Sequence, residues 1–378
     1  MKPIHVIHLV ESRNRHDWLE KLIEQLHKNG ISQSLITLES DGEIKDFLLN
    51  KYPNLHLVGT HKKRLGVLTG VTEILGARKK DSLNLVFALG HPAAFIAAIA
   101  SLFPDVKFIF SHMQQPNYFK LMIPRRKGAI HNLAYNLYIA RASLIHSLSA
   151  EVTEFLIKKG IDRKKIFNIN IGVNFGGIRE KLTSEDKSII VPPGFPILLM
   201  VGRLAPEKNY GLALKTFAMF LDKRPKALLL IAGVGPQENE LKILAKDLEI
   251  TQSVRFLGYV GNVPWLMTRA DVLLHLATTE SYGQIYLEAI LSELSVVCSR
   301  TGVAIDLQKA GTPDVFIVKE LSVNNVIQTL ESCLDKNPVL RSADYNPFYT
   351  FREHDEKFVH EKICESFARF QDLGDEAK

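Results

Sequence analysis

The chain has 378 residues, of which 46% are hydrophobic and 23% are charged, with a formal net charge of +6. This length accommodates two domains of ordinary size, and this composition excludes a disordered or fibrous protein. Residues 51–150 carry 13 lysines and arginines against 3 acidic residues, whereas residues 201–378 carry 20 against 24. The two regions therefore favour binding partners of different charge. The basic region contains no recognised nucleic-acid-binding module, so we expect no nucleic acid as a partner.

In the first half of the chain, short apolar runs alternate with helix-length amphipathic segments. Ile4–Val10 is typical of a strand, and Asp17–Asn29 is typical of a helix that Gly30 ends in a left-handed conformation. Five further strands are predicted over Leu35–Leu38, Leu55–Val58, Leu85–Leu89, Phe108–Phe110 and Leu144–His146. Strands that alternate with helices indicate a doubly wound parallel sheet.

One uncharged stretch, Leu83–Phe103, has the length of a membrane span. Gly90-His91-Pro92 interrupts it, so a buried strand ending near Leu89 and a helix from Ala93 explain it better. Three cysteines, Cys298, Cys333 and Cys364, have no zinc-site spacing and cannot all pair. The N-terminal apolar run is too short and too polar for a signal peptide. We therefore expect a cytoplasmic protein in a reduced state.

The second half restarts the same pattern after a linker at Ser184–Pro196. Strands are predicted over Ile197–Val201, Ala227–Ala232, Val254–Leu257, Val272–His275 and Val296–Ser299. Helices are predicted over Tyr210–Leu221 and Glu238–Leu248, and a last helix over Arg352–Phe370. The predicted fold class is α/β, with domains at 1–190 and 191–350 and a C-terminal helix at 351–378. Ligands bind such sheets at the carboxyl ends of the strands, so we expect a cleft between the two domains.

Several motifs follow the strands of the second half in a fixed order. They are Val201-Gly-Arg-Leu-Ala-Pro-Glu-Lys208, Ala232-Gly-Val-Gly235, Phe256-Leu-Gly-Tyr-Val260, Ala270-Asp271 and a pair of carboxylates, Glu280 and Glu288. With this set the chain resembles the family-4 (group 1) retaining glycosyltransferases of the GT-B fold. Residues 198–306 match well, and residues 84–175 match weakly through Gly90-His91, His112, Ser149-Ala-Glu-Val and Ile171-Gly-Val-Asn174.

The resemblance implies two Rossmann-like domains that face each other across a cleft, the first on the acceptor side and the second binding the donor. The last helix would pack back toward the first domain. The enzyme would move a hexose-type sugar from a nucleoside diphosphate, UDP or GDP, to a glycan or lipid-linked acceptor, with retention of the anomeric configuration. No Asp-x-Asp, the metal-holding signature of the other large transferase fold, occurs in the chain. We therefore expect no metal cofactor.

Four charged residues are the expected core of the donor site. The resemblance assigns Arg203 and Lys208 to the donor diphosphate, where charge-assisted bonds also stabilise the leaving nucleotide. It assigns Glu280 to the donor sugar and Glu288 to the ribose diol, and a carboxylate is a natural acceptor for vicinal hydroxyls. Glu288 lies within the apolar run Ile285–Leu291, where a carboxylate requires a partner.

The remaining expected site residues surround this core. Ser281, Tyr282, Gly283 and Gln284 open a helix whose backbone amides can meet phosphates at its positive end. Gly233 begins a Gly-Val-Gly turn that serves either as a tight turn or as part of the nucleotide pocket, and the resemblance places Gly258 and Val260 beside the base. It also implies that His112 reaches the transferred sugar. His91 is a weaker candidate, because it follows the neighbouring strand.

The chain also departs from the family pattern. The glycine-rich loop that usually follows the first strand is replaced by Glu11-Ser-Arg-Asn-Arg-His16, where Arg13 or Arg15 can substitute for backbone amides. Leu276-Ala277 replaces a usual Pro-Ser, and Glu293 and Ser295 replace a usual Gly and Pro. Two alternatives therefore stay open: a nucleotide-sugar epimerase, and a non-catalytic relative that binds sugar nucleotides.

Basic clusters in the first half suggest a membrane partner. They are His61-Lys-Lys-Arg64, Arg78-Lys-Lys80 and Arg125-Arg-Lys127, and they alternate with apolar and aromatic residues. One interpretation is a solvated basic face. The other is reversible docking of residues 61–127 on anionic lipid at the cytoplasmic face of a membrane, since each basic residue near such a surface contributes about 1 kcal/mol.

Overall fold

The computed structural model describes residues 2–11, 17–38, 51, 56–58, 66–112, 125–186, 189–191, 195–335 and 347–373. The chain forms two compact units. The first comprises residues 1–172 and 356–378, and the second comprises residues 173–355. The sequence-based domain bounds at 190 and 350 stay a prediction.

A parallel sheet of seven described strands forms the middle of the first unit. The strands are β1 (Ile4–Val10), β2 (Ser32–Thr37), β3 (His56–Val58), β4 (Leu83–Leu89), β5 (Val106–His112), β6 (Leu144–Ser147) and β7 (Ile166–Asn168). Their order in the sheet is β3-β2-β1-β4-β5-β6-β7, and every pair is parallel. All seven residues of β1 are buried because both faces of the sheet are covered.

Helices cover both faces of this sheet. They are Asp17–Lys28, Val67–Ala77, His91–Ala100, Arg125–Arg141, Ala150–Lys158 and Glu356–Leu373. One face packs Ile7, Leu9 and Phe110 against alanines of His91–Ala100. The other packs Val6 and Phe87 with Leu22 of the first helix and with Val359 and Ile363 of the last one. The C-terminal helix therefore completes the core of the first unit.

The second unit repeats this architecture with six described strands. They are β8 (Ile197–Val201), β9 (Leu228–Ala232), β10 (Val254–Gly258), β11 (Val272–His275), β12 (Ser295–Cys298) and β13 (Val315–Ile317), in the order β10-β9-β8-β11-β12-β13. Its helices are Phe175–Thr183, Tyr210–Leu221, Glu238–Asp247, Val263–Met267, Gln284–Leu291, Ala304–Lys309, Val323–Asp335 and Pro347–Thr350. The α/β class predicted from the sequence is confirmed.

The strand order reverses at one point in each unit. In the second unit β8 lies between β9 and β11, so the connections after β8 and after β11 leave the sheet in opposite directions. A crevice opens at such a point beyond the carboxyl ends of the strands. The loops after Val201 and after His275 therefore border the expected binding position.

The described strands also settle the membrane-span alternative. Residues Leu83–Leu89 are a central strand, and His91–Ala100 is a ten-residue helix whose alanines are buried. Among the described residues, no helix combines the length and the apolar character needed to cross a membrane. Two strands, Ile166–Asn168 and Val315–Ile317, were not predicted; each has three residues and lies at an edge of its sheet.

Candidate functional site

The connection after β8 brings two basic residues to the carboxyl edge of the second sheet. Gly202 has a φ of 143°, which a residue with a side chain rarely adopts, and its carbonyl accepts a hydrogen bond from the Tyr210 hydroxyl at 3.0 Å. The chain then forms a single 3₁₀ turn, Pro206–Lys208, which ends at Asn209 in the left-handed conformation. Tyr210 is fully buried, so it anchors this loop to the core.

Lys208 meets a carboxylate from the loop after β11. Its Nζ lies 2.5 Å from Oε2 of Glu280, and Nε2 of His275 lies 3.2 Å from the same oxygen. The side chains of Lys208 and Glu280 are 20% and 17% exposed, and that of His275 is 4% exposed. A cation, a carboxylate and an imidazole thus converge at the switch point of the sheet.

The charge states of these groups follow from their contacts. Burial alone would raise the pKa of Glu280, but the His275 hydrogen bond and the Lys208 charge together lower it to about 2. Burial lowers the pKa of His275, although its bond to Glu280 opposes this shift. At neutral pH the site therefore holds an ammonium, a carboxylate and a neutral imidazole that donates Nε2–H to the carboxylate.

The Arg203 side chain is the exposed member of the predicted set. Its guanidinium lies 2.6 Å from Oε1 of Glu207, and the side chain is 61% exposed. The carbonyl of Glu207 accepts a hydrogen bond from the backbone of Thr278 at 2.8 Å. This bond joins the two loops that carry Lys208 and Glu280, so they form one structural element.

Three glycines let the ends of β8, β9 and β10 approach closely. The amide of Gly202 donates to the Ala232 carbonyl, and the amide of Gly233 donates to the Gly258 carbonyl at 2.7 Å. A Cβ atom on Gly233 would lie 1.9 Å from the Gly202 carbonyl oxygen, so only glycine fits there. The tight-turn interpretation of Gly233 thus has a direct structural cause. Val260, predicted near the base, is buried beside the exposed Tyr259.

The predicted helix entrance is present. Gly283 has a φ of 81° and precedes the helix Gln284–Leu291, and a Cβ atom there would lie 2.5 Å from the Tyr286 ring. Tyr282 is buried, and its hydroxyl is hydrogen-bonded to Nδ1 of His354 at 2.7 Å. Its side chain is thus committed to the fold.

Glu288 lies one turn beyond Gln284 on the same helix, on the same face. It is half-buried, and burial raises its pKa, although the charge of Lys181 opposes this shift. The raised pKa reflects the cost of keeping a charged carboxylate in this half-buried position. Such a group gains from hydroxyl donors brought by a ligand.

The first unit brings the two candidate histidines together. His112 ends β5, and Nε2 lies 2.9 Å from the Tyr135 hydroxyl. His91 follows Gly90 at the end of β4, and its ring centroid lies 5.7 Å from that of His112. His91 is hydrogen-bonded to the Tyr138 hydroxyl. Both histidines lie at the carboxyl edge of the first sheet, and the sugar contact of His112 stays a prediction.

Some predicted residues lie outside the described part of the chain. They are Arg13, Arg15, the His61–Arg64 cluster and the side chains of Arg125–Lys127. His275, in contrast, belongs to the site and was not predicted. It ends the apolar run Val272–His275 at the same sheet edge as Gly202, and this position is the signal that identifies it.

Comparisons with known proteins show which family and which structures the chain is similar to. Residues 183–346 match the family of glycosyl transferases group 1. Over 157 residues, 41% of this chain and 34% of the relative, the chain is 32% identical to alpha-monoglucosyldiacylglycerol synthase of Streptococcus pneumoniae. Over 291 residues, 72% of each protein, it is 28% identical to a GDP-mannose-dependent monoacylated alpha-(1-6)-phosphatidylinositol monomannoside mannosyltransferase of Corynebacterium glutamicum. The chain thus spans about a third of the first relative and nearly three quarters of the second.

A solved structure shares the whole fold. The chain aligns with Anabaena Alr3699/HepE in complex with UDP at a TM-score of 0.77 and 19% sequence identity, covering 97% of this chain and 100% of that one. This likeness confirms the GT-B fold expected from the sequence. At this identity it shows the fold alone.

Proposed function

We propose that this chain, whose residues 183–346 match the group 1 glycosyl transferases and whose fold is GT-B, transfers a hexose-type sugar from a nucleoside diphosphate to an acceptor, with retention of the anomeric configuration. The observation that carries this proposal is the convergence of Lys208, Glu280 and His275 at the switch point of the second unit. A cation beside a carboxylate offers one partner for a diphosphate and one for sugar hydroxyls.

The donor diphosphate would bind where Arg203 and Lys208 meet the start of the helix Gln284–Leu291. Arg203 pairs with Glu207, and Lys208 pairs with Glu280. Phosphate oxygens would replace these carboxylates as the partners of the two cations. The helix start adds backbone amides and the positive end of the helix dipole. As the bond from the anomeric carbon to the phosphate oxygen breaks, this positive potential stabilises the charge left on the diphosphate.

Retention requires that the acceptor oxygen attack the face that the leaving group departs from. We propose that a donor phosphate oxygen takes the acceptor proton while the acceptor oxygen bonds to the anomeric carbon. Glu280 would hold sugar hydroxyls, Glu288 the ribose diol, and His112 of the first unit the transferred sugar. The protein then contributes positioning and electrostatic stabilisation.

We also propose that no metal ion takes part, because Arg203 and Lys208 supply the positive charge that a divalent ion supplies elsewhere. Among the residues that the structure describes, no group of three or more His, Cys, Asp or Glu side chains is arranged to hold a metal. The proposal depends on the two cations and the helix start, and chelation tests it.

The acceptor would be a glycan or a lipid reached at a membrane surface. In the first unit Leu133 and Leu137 are 73% and 49% exposed and lie one turn apart on the helix Arg125–Arg141. Leu68 of the helix Val67–Ala77 is 82% exposed. Both helices pack against His91–Ala100, so they belong to the same face of the sheet. Exposed leucines beside a basic helix start favour shallow insertion into anionic lipid over a plain solvated face.

Thermal unfolding with nucleotides tests the proposal. We expect UDP or GDP, and the corresponding UDP-glucose or GDP-mannose, to raise the melting temperature. A ligand at about 100 times its Kd adds about 2.7 kcal/mol to the free energy of unfolding. Lys208→Met should abolish most of the increase, whereas Lys242→Met, which removes an exposed lysine paired with Glu238, should not. No stabilisation by any nucleotide would refute the donor site.

A further inference from the structure

His275 is an unusual residue to find at the end of a buried central strand. Its side chain is 4% exposed, yet Nε2 reaches Oε2 of Glu280 at 3.2 Å. The same oxygen is the partner of Lys208. Glu280 is thus held by the ammonium of a long, 20% exposed lysine side chain and by an imidazole ring within the core.

The ring of His275 is fixed by its surroundings. The Tyr286 ring meets it edge to face, with centroids 5.1 Å apart and an interplanar angle of 87°. Tyr286 is in turn held by a 3.0 Å hydrogen bond between its hydroxyl and that of Thr301. The His275 carbonyl accepts a hydrogen bond from the Ser299 amide. In the orientation that these contacts accompany, Nε2 of His275 faces Glu280.

The two partners of Glu280 respond differently to a ligand. An arriving diphosphate competes for Lys208, because phosphate oxygens are charged acceptors like the carboxylate. If Glu280 depended on Lys208 alone, it would become a largely buried carboxylate without a charged partner when the lysine turned toward phosphate. A neutral imidazole carries no net charge for phosphate to attract, so its N–H stays with Glu280.

We propose that His275 is a positioning residue that keeps Glu280 ionised and aimed at the donor sugar after Lys208 has moved to the diphosphate. This inference rests on the proposed function, since it takes Glu280 as the sugar contact. His275 itself touches no substrate. Its effect must therefore appear in the recognition of the sugar and not in that of the diphosphate.

The test measures binding of two ligand pairs, UDP with UDP-glucose and GDP with GDP-mannose, by calorimetry. His275→Leu and His275→Met remove the donor at similar volume, and His275→Gln keeps an N–H near the position of Nε2. Asp271→Ala is the matched control, since it deletes a 2.7 Å hydrogen bond to the Ile197 amide at the opposite end of the same strand region. Thermal unfolding of each variant establishes that it is folded.

With the pair that binds, we expect His275→Leu and His275→Met to raise the Kd of the nucleotide sugar by about tenfold or more, and that of the free diphosphate by less than about threefold. His275→Gln should recover most of the loss, and Asp271→Ala should bind both ligands like wild type. If wild type binds and the donor-free variants keep full affinity for the nucleotide sugar, or lose both affinities equally, the positioning role is wrong while the donor site stands. If wild type binds neither pair, the proposed function fails and this inference falls with it.

Discussion

Lys208 and Glu280 lie 72 residues apart in the chain, and Nζ of the lysine lies 2.5 Å from Oε2 of the glutamate. The pair joins the loop after β8 to the loop after β11, across the point where the strand order reverses. Each charge offsets the other, so neither half-buried group lacks a charged partner. A ligand that carries both a diphosphate and a hydroxylated sugar can replace both halves of this pair.

The first prediction concerns the lysine. Lys208→Met should weaken binding of UDP or GDP by about 1.5–3 kcal/mol, the range for hydrogen bonds to charged groups. The corresponding nucleoside, which has no phosphate, should bind as it does to wild type. Calorimetric titration measures both affinities. Arg203→Ala should also weaken diphosphate binding, since the exposed Arg203 guanidinium belongs to the same loop as Lys208. If both variants bind the diphosphate as tightly as wild type does, the assignment of Lys208 and Arg203 to the diphosphate is wrong.

The second prediction separates the two glutamates. Glu288→Gln should mainly raise the KM for the donor, because its partner would be the ribose, which does not react. Glu280→Gln should mainly lower kcat, because its partner would be the sugar whose bond breaks. Steady-state kinetics with the preferred donor decides the matter. Equal effects on KM alone from both variants would contradict this division of roles.

The third prediction concerns pH and the core of the first unit. Burial lowers the pKa of His8 and of His146 from 6.5 to about 4. Below pH 6.5 the unfolded chain binds a proton at each histidine while the folded chain does not, so the free energy of unfolding falls as pH falls toward 4. The expected loss at pH 5, relative to pH 7, is about 2 kcal/mol per histidine.

Urea unfolding at pH 7 and pH 5 measures this loss. Trp18 lies in the same aromatic group as His146, so its fluorescence in a Trp265→Phe background reports the first unit. His8→Leu should reduce the loss of unfolding free energy between pH 7 and pH 5 by about 2 kcal/mol, the contribution of one histidine. If His8→Leu loses as much unfolding free energy between pH 7 and pH 5 as wild type does, His8 does not stay neutral in the fold.

The fourth prediction concerns the membrane. The paired change Leu133→Ser and Leu137→Ser should reduce cosedimentation with phosphatidylglycerol vesicles, because it removes the two exposed leucines of one helix. Wild-type binding should weaken as salt rises, since the Debye length falls from about 10 Å at 0.1 M to about 3 Å at 1 M. Met219→Ser with Ile243→Ser, exposed apolar residues of the second unit, is the control. If wild type does not bind the vesicles at low salt, this region is a solvated face and not a membrane contact.

Much of the fold was predictable because the strands are buried on both faces. Ile4–Val10, Ile197–Val201 and Val272–His275 are continuous apolar runs, and their predicted bounds match the structure. The short edge strands Ile166–Asn168 and Val315–Ile317 were missed because three residues show little periodicity, although the equally short His56–Val58 was predicted within Leu55–Val58. The return of the last helix to the core of the first unit was expected from the resemblance and not from its sequence pattern.

The sequence identified most residues of the site, but it did not show which of them contact each other. Arg203, Lys208, Glu280 and Glu288 were identified from motif order, yet nothing in that order shows that Lys208 and Glu280 pair with each other. That contact depends on the crossover that places β8 beside β11. His275 was missed for a similar reason: in the sequence it is one polar residue at the end of an apolar run, and its role depends on a loop that folds back over it.

The central claim is that the second unit binds a nucleotide sugar and that the chain breaks its glycosidic bond. The most direct measurement is release of nucleoside diphosphate from UDP-glucose and GDP-mannose, with EDTA present, over vesicles of diacylglycerol and phosphatidylglycerol. We predict release by wild type from one of the two donors, unaffected by the chelator, and loss of about 100-fold or more in Lys208→Met, as expected when one charged contact is removed from the leaving group. No release from either donor, release that requires an added divalent ion, or equal release by Lys208→Met would contradict the account.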